Sequence, residues 1–233
     1  MPREVNTVPT LAALALATPL FGLSLQAPVL ATPELHPDVV AQLAPGAPDP
    51  GQLEDAAIAE QLRQRQELAL VHRVFGVATW VSMAATAVLG FIQFGDEYGF
   101  HGSRAETACA QGTAVLQEFC EGTPWPHAVA GFTTAALYFT TATLSFLMPD
   151  PLDLEHQDSA WAERVRIHEA LRWVHLSGVV LQALLGIFIA NHEAFGLDVS
   201  DDFDTLQALS GVHMGVGVVT LGALSAAAAI VTF

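Results

Sequence analysis

The chain has 233 residues, 52% of them hydrophobic and only 14% charged, with a net charge of −16. A soluble domain carries about 25% charged residues, so this composition is that of a membrane protein. All eight basic residues are arginine and none clusters into a basic patch, which excludes lysine-based covalent chemistry, a retinal Schiff base included, and a nucleic-acid partner.

The first 31 residues form a signal-like or extra transmembrane segment. "TLAALALATPLFGLSLQAPVLA" (10–31) has the apolar run of a signal peptide and a Val-x-Ala site ending at Ala31. Its positive region is weak, and Pro19 and Pro28 interrupt it. Cleavage there would leave the following segment outside, whereas an uncleaved fifth span with its N-terminus outside keeps the arginines of the chain inside. The second reading is preferred. Residues 32–67 read as a proline-rich linker followed by a polar helix, "QLEDAAIAEQLRQRQE".

Residues 68–233 make the membrane domain. Four apolar stretches, at about 68–94, 127–148, 170–191 and 207–232, each suffice for a hydrocarbon core of about 30 Å. The expected fold is all-α: an integral membrane four-helix antiparallel bundle, with the additional N-terminal segment left open. Cys109 and Cys120 lie between the first two stretches. Oxidised, they would close a loop worth about 3 kcal/mol, and disulfides persist outside the cytoplasm. Arg63, Arg65, Arg73, Arg164, Arg166 and Arg172 fall on one side of the bundle and only Arg104 on the other. The positive-inside rule puts the six in the cytoplasm, most naturally that of a bacterial inner membrane, with the cysteine loop outside. The acidic "SDDFD" loop and the Trp125, Trp161 and Trp173 belt need no more than solvation and membrane anchoring.

Histidines carry the functional signal. Each stretch has one or two near its own start: His72, His127, His168 with His175, and His213. In an antiparallel bundle these form two layers, His72, His168 and His175 near one surface and His127 and His213 near the other, roughly 15–20 Å apart. Polar groups in hydrocarbon are costly and mark function. Two imidazoles facing each other across a bundle can hold a haem iron axially.

Gly76, Gly131 and Gly217 follow three of these histidines by four residues, and Gly178 follows His175 by three. Glycine there would let a flat macrocycle lie against the backbone, although small residues also serve plain helix packing. The chain also reads as a duplicated hairpin. Gly90 follows His72 by 18 residues, and Gly186 follows His168 by the same 18. That register matches His168 to His72 and His213 to His127. His175 lies deeper among apolar neighbours, so it is the preferred ligand, with His168 second. Arg73 and Arg172, at the same surface, are candidates to pair with haem propionates.

The stretch 68–232, through His72, His127, His175 and His213, resembles the di-haem b-type transmembrane cytochromes of the ascorbate-reducible kind. The resemblance implies transmembrane electron transfer through two b-type haems, from a quinol or other small reductant to an acceptor or redox partner protein across the bilayer. Two other readings stay open. In one, the same histidines bind metal ions or relay protons; in the other, the chain is a cofactor-free membrane subunit.

Overall fold

The computed structural model describes residues 50–232. The signal-like segment and all but the end of the linker lie outside the described residues. Four long helices dominate: α1 (Pro50–Glu97), α2 (Trp125–Leu147), α3 (Ala160–Ala190) and α4 (Phe203–Thr232). The protein is all-α.

Helix α1 runs unbroken for 48 residues, about 72 Å at 1.5 Å per residue. It contains no proline beyond its first residue, so nothing separates the polar stretch after residue 52 from the apolar stretch that follows. Arg63 braces the polar part through Glu60 (2.6 Å) and Glu67 (2.7 Å). The helix stops where Gly99, at φ 65°, returns its N–H to the carbonyl of Phe94 at 2.9 Å. That left-handed position suits glycine. In α2, Pro126 sits in the first turn, where a missing N–H costs nothing. Ser159 caps α3 by accepting from the Ala162 N–H at 3.1 Å.

Among the described residues, three helices, Gly51–Glu97, Ala160–Ala190 and Phe203–Val231, are long and apolar enough to cross a membrane. Helix α2, expected as the second of four spans, is not among them. At 23 residues it covers about 34 Å, but five threonines dilute it. Four of them hide their hydroxyls in the helix itself, Thr133, Thr140, Thr141 and Thr143 donating to the carbonyls of Val129, Ala136, Leu137 and Phe139 at 2.8–2.9 Å. Back-bonded threonine is less polar than its hydropathy suggests.

The helices follow one another around the bundle. Hydroxyl pairs join α1 to α2, Thr79 to Thr141 at 3.0 Å and Ser82 and Thr86 to Thr134 at 2.7 and 2.9 Å. Tyr138 of α2 meets His175 of α3, and Gly178 of α3 meets Thr220 of α4. The ring closes where Trp80 of α1 donates to Ser225 of α4 at 2.9 Å. Met83, Tyr138 and Val179 form the central core, with Leu221 and Leu224 packed on it.

At one end, Cys109 and Cys120 form a disulfide with Cα atoms 5.5 Å apart. Their loop is anchored by the buried Asp96 carboxylate, which accepts from Val115 N–H at 3.1 Å and Leu116 N–H at 2.9 Å. Glu106 accepts from the N–H and hydroxyl of Ser103, which holds its carboxyl below the usual range. Arg104 donates to Ser200 at 2.7 Å, tying this loop to the one between α3 and α4. At the opposite end, Arg65 binds the Pro149 carbonyl at 2.7 Å and Asp150 at 3.0 Å.

Two outcomes follow from this packing. A Cβ on Gly178 would lie 2.1 Å from Thr220 Oγ1, so Gly178→Ala should force α3 from α4 and cost about 1–3 kcal/mol in a detergent unfolding titration. Reducing the disulfide should cost about 3 kcal/mol and lower the melting temperature while leaving helical content intact by circular dichroism.

Candidate functional site: two facing histidine pairs

Every long helix aims one histidine across the bundle, and the histidines meet on the diagonals. His72 of α1 faces His168 of α3 with ring centroids 6.5 Å apart and planes 78° apart. His127 of α2 faces His213 of α4 with centroids 6.0 Å apart and planes 83° apart. The rings meet edge to face and do not stack.

The outer nitrogen of each ring has a defined partner in three cases. His72 Nδ1 meets the Thr141 carbonyl at 3.0 Å, His168 Nδ1 the Ala227 carbonyl at 2.9 Å and His127 Nδ1 the Thr86 carbonyl at 3.1 Å. A carbonyl only accepts, so Nδ1 carries the proton and Nε2 keeps its lone pair. His213 Nδ1 is buried without a hydrogen-bond partner, and Gln182 donates instead to the backbone carbonyl of His213.

The acceptors obey the duplication. Thr141 stands 14 residues after His127, and Ala227 stands 14 after His213. Thr86 stands 14 after His72, so the two pairs lie about 21 Å apart along the helices. That is slightly more than the 15–20 Å expected. Midway, seven residues from each histidine of a pair, are Thr79, Thr134, His175 and Thr220. All four are buried, between 1% and 7% exposed. The midplane is therefore closed by side chains.

His175 belongs to that midplane layer. Its Nδ1 is 2.7 Å from the buried Tyr138 hydroxyl. The residue opposite His72 is His168, and His175 faces Tyr138. The heptad spacing that put both imidazoles on one face of α3 thus serves two different neighbours.

The glycines divide similarly. A Cβ on Gly76 would sit 3.9 Å from a Thr141 methyl, and one on Gly131 would sit 3.9 Å from a Thr86 methyl. A Cβ on Gly217 would sit 3.4 Å from the Gln182 amide, and Gly178 lets α4 approach α3. The nearest neighbours of these four are thus Thr141, Thr86, Gln182 and Thr220, whereas those of Gly90 and Gly186 are histidine rings. A Cβ there would lie 2.9 Å from His127 and 3.3 Å from His213. Their signal in the sequence is the repeated 18-residue spacing, which marks the duplication and was not read as a site. Tyr138 and the three carbonyl acceptors left no such trace. Arg73 is exposed, while Arg172 is half-buried with its guanidinium 4.6 Å from the Phe146 ring centroid.

Two axial imidazoles fit a haem. With about 2 Å per metal–nitrogen bond and about 1.2 Å from nitrogen to ring centre, iron between two imidazoles spaces their centroids by about 6.4 Å. The two pairs bracket that value. Among the described residues, no group of three or more His, Cys, Asp or Glu could hold a metal ion. No family model, curated protein or solved structure matches this chain.

Tyr138→Phe should leave a buried imidazole nitrogen without its partner and cost about 1–3 kcal/mol, seen as a lower melting temperature in detergent. Replacing the pair together, Tyr138→Phe with His175→Leu, should recover most of that loss.

Proposed function

We propose that this integral membrane protein is an electron carrier with two b-type haems, one between His72 and His168 and one between His127 and His213. The observation that carries the reading is the pair of diagonal histidine contacts at 6.5 and 6.0 Å, with Nδ1 held by a backbone carbonyl in three of four rings. Ligating histidines characteristically donate their other N–H in this way, which orients the ring and raises the basicity of the ligating nitrogen. Each bound haem would supply a one-electron iron couple.

This reading assigns the protein three tasks. The imidazoles present Nε2 from opposite sides of each site. Gly90 and Gly186 leave space beside His127 and His213, where any side chain would push the ring aside. The midplane layer of Thr79, Thr134, His175 and Thr220 excludes water between the pairs. A closed midplane favours electrons over hydrated ions as the transported species. A bare metal ion is also the poorer fit, because each pair offers two ligands where three or four are needed. A haem brings four of its own.

The membrane setting and direction complete the proposal. The six arginines mark the cytoplasmic side of a bacterial inner membrane, and the disulfide end faces outward. A quinol or another small reductant, or a redox partner protein, would exchange electrons at the two ends.

A reduced-minus-oxidised absorption spectrum of the purified protein tests this, together with a haem-to-protein ratio. Two b-type haems per chain are expected. His127→Ala or His213→Ala should remove one haem, and His72→Ala or His168→Ala the other, while His175→Ala should keep both. Protein without haem from a host well supplied with it would overturn the proposal. Loss of haem in His175→Ala but not in His168→Ala would overturn the assignment of the first pair.

A further inference from the structure

The two histidine pairs are related by duplication, yet one charged residue breaks their equivalence. Four residues beyond His72, His127 and His213 stand Gly76, Gly131 and Gly217; four beyond His168 stands Arg172. On a helix this position lies on the histidine's own face, one turn deeper. Three helices leave it without a side chain, and the fourth fills it with a permanent cation.

The guanidinium of Arg172 is seated among aromatic rings. It lies against two aromatic faces, 4.6 Å from the centroid of Phe146 and 5.6 Å from that of Trp173. Its Nε is buried with no hydrogen-bond partner, and among the described residues no carboxylate forms an ion pair with it. Aromatic faces offset part of the desolvation of a half-buried cation. A cation set at the edge of an apolar bundle still favours the arrival of negative charge nearby.

From this we infer that Arg172 is the charge partner of the group held by His72 and His168, and raises the affinity of that site for an electron. The inference rests on the electron-carrier reading and goes further than it, because it makes the two sites unequal. Adding an electron to a centre beside a fixed cation is favoured by Coulomb attraction, which a low-dielectric interior screens little. No arginine or other cation stands at the equivalent position beside His127 or His213. Arg172 is a positioning residue in charge, not a ligand, and its effect belongs to one end of the bundle.

The test is a redox titration of the full-length holoprotein, followed optically, with haem content measured in parallel. Arg172→Gln and Arg172→Met should retain both haems and lower one of the two midpoint potentials, leaving the other unchanged. The component that shifts should be the one lost in His72→Ala and His168→Ala. Phe146→Glu, which places a carboxylate against an intact Arg172, should shift the same component in the same direction and carries the test if the arginine variants fail to assemble. Arg73→Gln should move neither. Two haems with unchanged midpoints in these variants, or a shift confined to the His127–His213 component, would overturn the role of Arg172 alone. Wild-type protein without haem would overturn the electron-carrier reading and this inference with it.

Discussion

The bond from an imidazole Nδ1–H to a backbone carbonyl on a neighbouring helix is the constraint on which the rest depends. Within lipid there is no water to satisfy a polar atom, so a ring N–H is costly unless the protein supplies an acceptor. Helix carbonyls already accept from the N–H four residues on, but each keeps a second lone pair. His72, His127 and His168 use that lone pair on Thr141, Thr86 and Ala227. The choice has two effects at once. It locks the sliding of one helix against the next, and it leaves Nε2 unprotonated, with its lone pair available.

Much of the architecture follows from that lock. Thr86 and Thr141 fix α1 against α2 in reciprocal fashion, each helix holding the other's histidine. The hydroxyls of Thr79, Ser82, Thr134 and Thr141 then fall opposite one another and add short polar contacts along the same seam. In the second hairpin the seam is drier and tighter. Gly178 admits Thr220 to close range, and Gln182 takes the place of Thr86. The same frame therefore carries two different interfaces, one joined by hydroxyl contacts and one by close backbone approach.

The helical class, the membrane-spanning character and the disulfide loop were legible in hydropathy and cysteine spacing. So were the histidines that gather into two layers, since each opens its own apolar stretch. The duplication register already matched His168 to His72. What a single sequence could not resolve is which imidazole of α3 crosses the bundle. His168 and His175 share a face, and depth among apolar neighbours argues for the latter. The deciding group is the Tyr138 hydroxyl on α2, which occupies His175. Facing relations between helices depend on the partner's side chains, and periodicity within one helix is blind to them. The same blindness hid Gly90 and Gly186, whose neighbours lie on other helices. Helix α2 is legible as an apolar stretch although its threonines count as polar in hydropathy, because most turn their hydroxyls back onto the helix.

The unbroken length of α1 sets a boundary on who can visit the arginine-bearing end. A rod of about 72 Å exceeds the hydrocarbon core by more than a factor of two. Its polar stretch, braced by Arg63 and fastened through Arg65 to Asp150, stands beyond the apolar stretch as a stiff post of about 24 Å. Any broad, flat body moving along the membrane normal would meet that post before it reached the depth of His72. The same helix thus sets a histidine at one depth and a barrier of about 24 Å at another.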